Sequence, residues 1–366
     1  MKVLAISSYG GLGGAELAIA TFLEHRPPGV EAEALLVENG PLAALLGAQK
    51  IPVLTASGYA GRPSVADVGA FSRALDSALR HVRPDVVWAT GQKAALLSIP
   101  ACRARRVPLV WHKVDFSWDR LLAKPLAVGA NGVVAVSNAA AAALGPLRRA
   151  RLLGIVGPPL RLDREVRSRP DPAQPVIGTL ARLVPYKGHH HIIRAAARLS
   201  EEFPTLRVVL AGAPAPQYPE YPASLGRLAQ ALGLAERLEL PGFHDDVAGI
   251  LERLSVFVNA TYRDAEGFGF EGLSGAMLEA SWAAVPVVAV RGGGTAEGLV
   301  DGETGTLVAA ADPDLLAKAI APYLRDPAVA RRVGEAGSRM ARARFAPEVV
   351  AERLFGLLAA TAGANR

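Results

Sequence analysis

The chain of 366 residues has a single cysteine, Cys102. No intramolecular disulfide framework and no cysteine-rich zinc module can be built from it, and Cys102 itself reads as a small buried apolar residue. No run of 18 or more apolar residues occurs. The stretch 133–145 is broken by Ser137 and Asn138, so a membrane-spanning helix is not expected. The opening MKVLAISSYGG has too short an apolar run for a secretory segment and reads as a first buried strand. A cytoplasmic protein is the expectation. Aromatic residues are only 6% of the chain and are not interleaved with basic ones, so a nucleic-acid partner is not expected.

What is abundant is apolar material, 51% of residues, with 37 glycines and 27 prolines scattered as loop punctuation. That is enough for large cores, and the length suits two domains. The net charge of +6 is unevenly distributed: residues 1–165 carry +7, residues 166–325 carry −4, and residues 326–366 carry +3. The plain reading is a solvated surface. The sharper one is attraction of the first half and the tail to an anionic acceptor or an anionic membrane surface. Arg103, Arg105 and Arg106 follow one expected helix, Arg148, Arg149 and Arg151 follow another, and Trp118 near Phe116 offers an apolar contact.

In the first half, apolar runs at 3–6, 34–37, 86–88, 109–111 and 133–136 alternate with helical segments such as 15–24, 65–80 and 139–144. Strand–helix alternation predicts a parallel sheet covered on both faces. Residues 162–175 (LDREVRSRPDPAQP) are charged, proline-rich and without an apolar period, and read as an interdomain linker. The alternation then restarts with runs at 176–181, 207–211, 256–258 and 285–290, and helical segments at 190–200 and 274–283. Two tandem α/β domains are expected to leave a ligand cleft between them.

Three motifs carry candidate chemistry. Ser7 through Glu16 join a strand to a helix through Gly10-Gly11 and Gly13-Gly14, where glycine permits positive φ and close ligand approach. The pattern lacks the last glycine of a dinucleotide fingerprint. Arg182 and Lys187 flank a proline-containing turn between a strand and a helix; a guanidinium fork and a point charge there suit a diphosphate. Glu271 and Glu279 have seven residues between them, and Glu279 lies among Ala276, Met277, Leu278 and Ala280. Carboxylates accept directed hydrogen bonds and so suit sugar hydroxyls; one capping acid and one structural ion pair is the competing reading. His189-His190-His191 are successive helical positions pointing about 100° apart and are not expected to converge on a metal. Asp312-Pro313-Asp314 reads as a helix cap, and Asp245-Asp246 are adjacent rather than spaced, so no metal site is expected.

The ordered set Gly13-Gly14-Ala15-Glu16, Leu109-Val110-Trp111-His112, Ala135-Val136-Ser137, Arg182…Lys187-Gly188, Glu271-x7-Glu279-Ala280, Pro286-Val287-Val288, Gly293-Gly294, Glu297, Asp301-Gly302…Gly305-Thr306-Leu307-Val308 and Arg344-Phe345 resembles the retaining GT-B glycosyltransferases of family 4. The resemblance implies two Rossmann-like domains facing a central cleft: residues 1–165 for the acceptor and residues 176–345 for the nucleotide sugar, with a last helix, 346–366, packing back on the first. Arg182 and Lys187 would hold the donor diphosphate, Glu279 the ribose, and Glu271 the transferred sugar. Backbone groups of Gly272, Leu273 and Ser274 would line sugar and phosphate. Gly13 and Gly14 would close the donor site, and His112 would sit beside the reacting centre. Glu266-Gly267-Phe268-Gly269 imitates the family motif, but eight residues on stands Ser274; Glu271 keeps the spacing to Glu279. Two departures are Ile155 through Leu160 in place of a Pro-Asn-Gly-Val-Asp turn, and Lys113 after His112.

The implied reaction moves a hexose-type sugar from a nucleoside diphosphate sugar, as co-substrate, to a hydroxyl acceptor, with no cofactor and no metal. The acceptor could be a sugar, a lipid-linked species or a small molecule, reached in the cytoplasm or peripherally at the inner face of the membrane. A GT-B nucleotide-sugar epimerase and a noncatalytic sugar- or lipid-binding module are the alternatives.

Overall fold

The computed structural model describes residues 1–56, 65–160, 162, 165–244, 246–264, 269 and 271–364. The chain divides into two compact units, Met1–Leu160 with Phe345–Arg366, and Arg161–Arg344.

The first unit holds a seven-stranded parallel sheet of β1 (Lys2–Ser7), β2 (Glu31–Leu36), β3 (Val53–Thr55), β4 (Val86–Thr90), β5 (Leu109–Lys113), β6 (Gly132–Ala135) and β7 (Leu152–Ile155), in the order β3-β2-β1-β4-β5-β6-β7. Central strands are buried on both faces, which explains their unbroken apolar runs. Period-two alternation sorts their side chains. Leu4, Ile6, Val87 and Ala89 enter one core with Phe71, Leu75 and Leu126. Val3, Ala5, Val86 and Trp88 enter the other with Phe22 and Leu23. The connecting helices are α1 (Gly14–Glu24), α2 (Pro41–Ala48), α3 (Val65–Val82), α4 (Gln92–Arg105), α5 (Asp119–Gly129) and the short α6 (Asn138–Ala141) and α7 (Arg148–Arg151).

The second unit has six parallel strands, β8 (Val176–Leu180), β9 (Arg207–Ala211), β10 (Leu238–Gly242), β11 (Val256–Asn259), β12 (Val287–Val290) and β13 (Thr306–Val308), ordered β10-β9-β8-β11-β12-β13. Its helices are α8 (His189–Leu199), α9 (Tyr221–Ala231), α10 (Val247–Arg253), α11 (Gly275–Trp282), α12 (Pro313–Arg325) and α13 (Pro327–Phe345). Ile192 and Ile193 of α8 and Ile320 of α12 meet Ile177, Leu210 and Val258 of the strands.

The final helix, α14 (Pro347–Gly363), belongs to the first unit. Its Val350, Ala351, Leu354, Phe355, Leu358 and Ala362 complete the core that contains Trp88, Val110 and Val134.

Two features differ from the sequence reading. Ser168 and Arg169, within the stretch 162–175 read as a linker, are hydrogen-bonded into the second unit. The Ser168 amide donates to the Ala283 carbonyl at 2.7 Å, the Arg169 amide to Glu252 O at 2.8 Å, and Ser168 Oγ to Leu254 O at 2.8 Å. The division therefore falls between Leu160 and Arg161, earlier than residue 165. Four strands without long apolar runs, β3, β7, β10 and β13, also extend the sheets.

Candidate functional site

In an open parallel sheet, the crevice for a ligand opens beyond the carboxyl ends of the strands where the order reverses. In the second unit that point lies between β8 and β11. Arg182 and Lys187 follow β8; Glu271 follows β11. After β8 the chain makes a turn of 3-10 helix, Pro185–Lys187, then passes through Gly188 in the left-handed region (φ +73°) into α8. A Cβ at Gly188 would stand 2.2 Å from the Ala260 carbonyl oxygen, so only glycine lets the two loops approach this closely. The Tyr262 amide donates to Tyr186 O at 3.0 Å and ties the loops together.

The crossing pairs the Lys187 ammonium with the Glu271 carboxylate. Thr261 Oγ1 donates to Glu271 Oε1 at 3.0 Å. The Gly294 amide donates to the Glu271 carbonyl at 2.8 Å and anchors its backbone. Burial of the Glu271 carboxyl pushes its pKa upward, but the Lys187 charge and hydrogen bonds from Lys187, Thr261 and Ser274 outweigh this and hold it below the ordinary glutamate value. Both side chains are mostly buried, 18% and 13% exposed. Glu271 also lines a cavity of about 500 Å³ with His191, Thr261, Arg263, Arg291 and Asp312, a volume in the range of small-molecule sites.

The other named residues of this unit take distinct places. Arg182 is exposed, its Nη2 3.4 Å from the Tyr186 hydroxyl. Gly272 is buried and Leu273 packs toward Gly298. Ser274 caps α11, its Oγ accepting the Met277 amide at 3.4 Å. Glu279 is half-buried in α11, next to buried Leu278 and Ala280. Asp312 caps α12, accepting the amides of Asp314 and Leu315 at 2.9 and 3.0 Å. His189 turns into the core, whereas the rings of His190 and His191 lie 4.1 Å apart beside Tyr262. The two rings thus meet more closely than an ideal helical projection suggests. No three His, Cys, Asp or Glu side chains among the described residues are grouped to hold a metal. Glu266 and Asp245 lie outside the described residues.

In the first unit, Gly13 caps α1 with φ −105° and Gly14 opens it. Neither adopts positive φ, so the turn does not use the left-handed freedom expected of it. A Cβ at Gly14 would meet nothing within 4 Å. Glycine here leaves bare backbone at a helix start. His112 on β5 is 3% exposed. Trp88 Nε1 donates to its Nδ1 at 3.3 Å, which puts the ring proton on Nε2. Phe22 and Trp88 pack within 6.0 Å of the imidazole. The departure residue Lys113 is fully buried and pairs with Asp119 at 2.6 Å.

Burial pushes His112 down to about 4, with a backbone hydrogen bond to Val156 opposing it. Burial, then the Lys187 charge, pushes His189 to about 4 as well. A histidine whose folded pKa lies below its unfolded value of about 6.5 must bind its proton on unfolding, so stability present above that value is lost as pH falls toward the folded pKa. Denaturant titrations at pH 7 and pH 5 are expected to differ by about 1–2 kcal/mol for each of the two histidines. Identical stability at both values would refute neutral burial.

Sequence reasoning passed over Thr261 and Tyr186, which hold Glu271 and Arg182. A threonine two residues past the carboxyl end of β11 is the available signal.

The family model described as "Glycosyl transferases group 1" matches residues 163–340. A GDP-mannose-dependent alpha-(1-6)-phosphatidylinositol monomannoside mannosyltransferase of Mycolicibacterium smegmatis is 30% identical over 289 residues, covering 70% of this chain and 72% of that protein. The lipopolysaccharide core biosynthesis mannosyltransferase LpcC of Rhizobium leguminosarum bv. viciae is 32% identical over 214 residues, 58% of this chain and 59% of its own. Among solved structures, Anabaena Alr3699/HepE in complex with UDP and glucose is similar with a TM-score of 0.84, over 98% of this chain and 100% of that one, at 23% identity. This likeness shows the fold as GT-B.

Proposed function

The chain belongs to the group 1 glycosyltransferases, and from that premise we propose that it transfers a hexose from a nucleoside diphosphate hexose to a hydroxyl acceptor with retention of anomeric configuration. The observation that carries the reading is the meeting of Lys187 and Glu271 at the β8–β11 switch point, beside a cavity. In this pair each side chain balances the other's charge. A diphosphate would take over Lys187, and the released carboxylate of Glu271 would accept hydrogen bonds from sugar hydroxyls.

As the glycosidic bond breaks, negative charge grows on the leaving phosphate oxygens. Arg182 and Lys187 would stabilise that charge most in the transition state, where it is greatest. They would also take the electrostatic part a metal plays in other transferases. Glu279 would hold the ribose, with backbone groups of Gly272, Leu273 and Ser274 along the sugar and phosphates. Gly13, Gly14 and His112 are the proposed contributions of the first unit. Retention would follow from attack on the face the leaving group departs from, so no carboxylate nucleophile is required.

GDP-mannose is the first candidate donor, because the two relatives described above are named mannosyltransferases. The acceptor class we favour is a lipid-linked saccharide or polyol at the inner face of the membrane, consistent with the basic first half. No helix among the described residues is long and apolar enough to cross a membrane. The test incubates the protein with GDP-mannose, UDP-glucose and ADP-glucose, with lipid-linked and free acceptors, in EDTA and in magnesium. The product anomer is then read by NMR. One donor consumed equally in EDTA, giving the donor's own anomeric configuration, is the expected result. Inverted product, or activity that EDTA abolishes and magnesium restores, would overturn the corresponding part.

A further inference from the structure

The strongest unexplained surface of the first unit is built by α4 and α5. Two hydrogen bonds clamp these helices side by side in the same direction. At their starts, Gln92 Nε2 donates to Ser117 O at 2.8 Å; at their ends, Arg103 Nη2 donates to Val128 O at 3.0 Å. The inward face of α5, Ala123, Leu126 and Ala127, is fully buried. Its outward face is apolar as well: Leu121 is 65% and Val128 48% exposed, and Pro125 between them is exposed. At 100° per residue these three positions fall within one narrow stripe. Trp118, immediately before α5, is 66% exposed, and Leu96 of the neighbouring α4 is 47% exposed.

The stretch that carries this stripe is rich in cations, although Arg105 pairs with Asp76 and Lys93 with Glu38 from neighbouring elements. Residues 86–160 contain ten Lys and Arg but only two acids, Asp115 and Asp119. Both acids are engaged locally. Asp119 pairs with the buried Lys113 at 2.6 Å, and Asp115 Oδ1 accepts the Ser117 amide at 2.8 Å. Arg120 and Lys124 lie on the exposed side of α5, and Arg149 of α7 is exposed. Arg151, also of α7, reaches the Ala130 carbonyl just past the end of α5 at 3.4 Å. An apolar stripe flanked on its own helix by the exposed Arg120 and Lys124 matches a bilayer whose headgroups are anionic, with the helix lying in the interfacial plane.

We propose that the outward face of α4 and α5 is a docking surface for an anionic lipid bilayer, with Trp118, Leu121 and Val128 entering the interface and Arg120 and Lys124 meeting lipid phosphates. The surface narrows the membrane location proposed above to named residues. Its failure would leave the sugar-transfer reading untouched, because binding is measured without donor or turnover.

The test uses the full chain and vesicles of equal phosphatidylcholine and phosphatidylglycerol, compared with phosphatidylcholine alone, at low and high salt. Co-sedimentation is expected with the anionic vesicles, falling at least tenfold at high salt, where the screening length shrinks toward about 3 Å near 1 M. Trp118→Asn with Leu121→Ser, and separately Arg120→Glu with Lys124→Glu, are each expected to weaken binding at least tenfold while leaving the melting temperature unchanged. Asparagine suits position 118 because Trp118 has φ +56°, a region asparagine tolerates. Val349→Ser, at an exposed apolar residue of α14, is expected to bind as the unchanged protein does. Absence of binding at low salt, equal binding to both vesicles, or full binding by either double variant would overturn the proposal. So would a dimer in solution that these variants dissociate without any effect on vesicles.

Discussion

Lys187→Ala is expected to lower kcat/KM by about 100- to 1000-fold, the scale for losing one charge-stabilising group at a developing anion. Its side chain is held beside the switch point by a turn that only glycine at 188 can follow. The variant should also be less stable by about 1–3 kcal/mol, between the exposed and fully buried cases, because the mostly buried Glu271 carboxylate loses its ion partner. Those two losses can be separated. Adding Glu271→Gln removes the stranded charge, so the double variant should regain stability without regaining rate, and the non-additivity measures the pair. Arg182→Ala should reduce the rate on the same scale with little change in melting temperature, since Arg182 is exposed. Near-normal rates in both single variants would overturn the assignment of the diphosphate site.

Ending the chain after Phe345 is expected to abolish cooperative folding of the first unit. The deletion strips Val350, Leu354, Phe355 and Leu358, all buried, from a core that also contains Trp88 and Phe22. At about 1.5–3 kcal/mol for each large apolar side chain, the loss is about 6–12 kcal/mol, comparable to the whole stability of a domain. Hydrogen exchange resolved by segment is the measurement. Protection should vanish from β1, β4 and β5 while β8, β9 and β11 of the continuous second unit keep theirs. Retained protection in β1 and β4 would show that α14 is dispensable.

The legible parts of the molecule were those where burial dictates residue type. Runs such as Val86–Trp88 and Val256–Val258 announce central strands because both faces are dry. The four strands left unread, β3, β7, β10 and β13, are the outermost strands of the two sheets. β7 and most of β10 are half-buried, so their sequences carry mixed polarity and mimic loops. At the site, spacing identified Arg182, Lys187, Glu271 and Glu279 as candidates. It could not say that Glu271 would meet Lys187, because that contact depends on the crossing of two loops far apart in sequence. The absence of positive φ at Gly13 and Gly14 was equally invisible, since composition cannot distinguish a glycine needed for its dihedral angles from one needed for its bareness. Ser168 and Arg169 differ from a linker reading for a related reason. Charge and proline suggest a free linker, but the two are held through backbone groups and the Ser168 side chain, to which composition is blind.

The break in the first unit also sets an order of events during synthesis. Residues 1–160 emerge early, yet α14 emerges only after the entire second unit has been made. At roughly 5–20 residues per second, the interval between Leu160 and Phe345 lasts on the order of ten to forty seconds. Throughout it, the sheet face bearing Trp88, Val110 and Val134 lacks part of its cover. The second unit, a continuous segment, is under no such delay. The half of the chain translated second is therefore the half able to finish folding first, and the nascent protein presents an incompletely covered apolar surface on which chaperones can act.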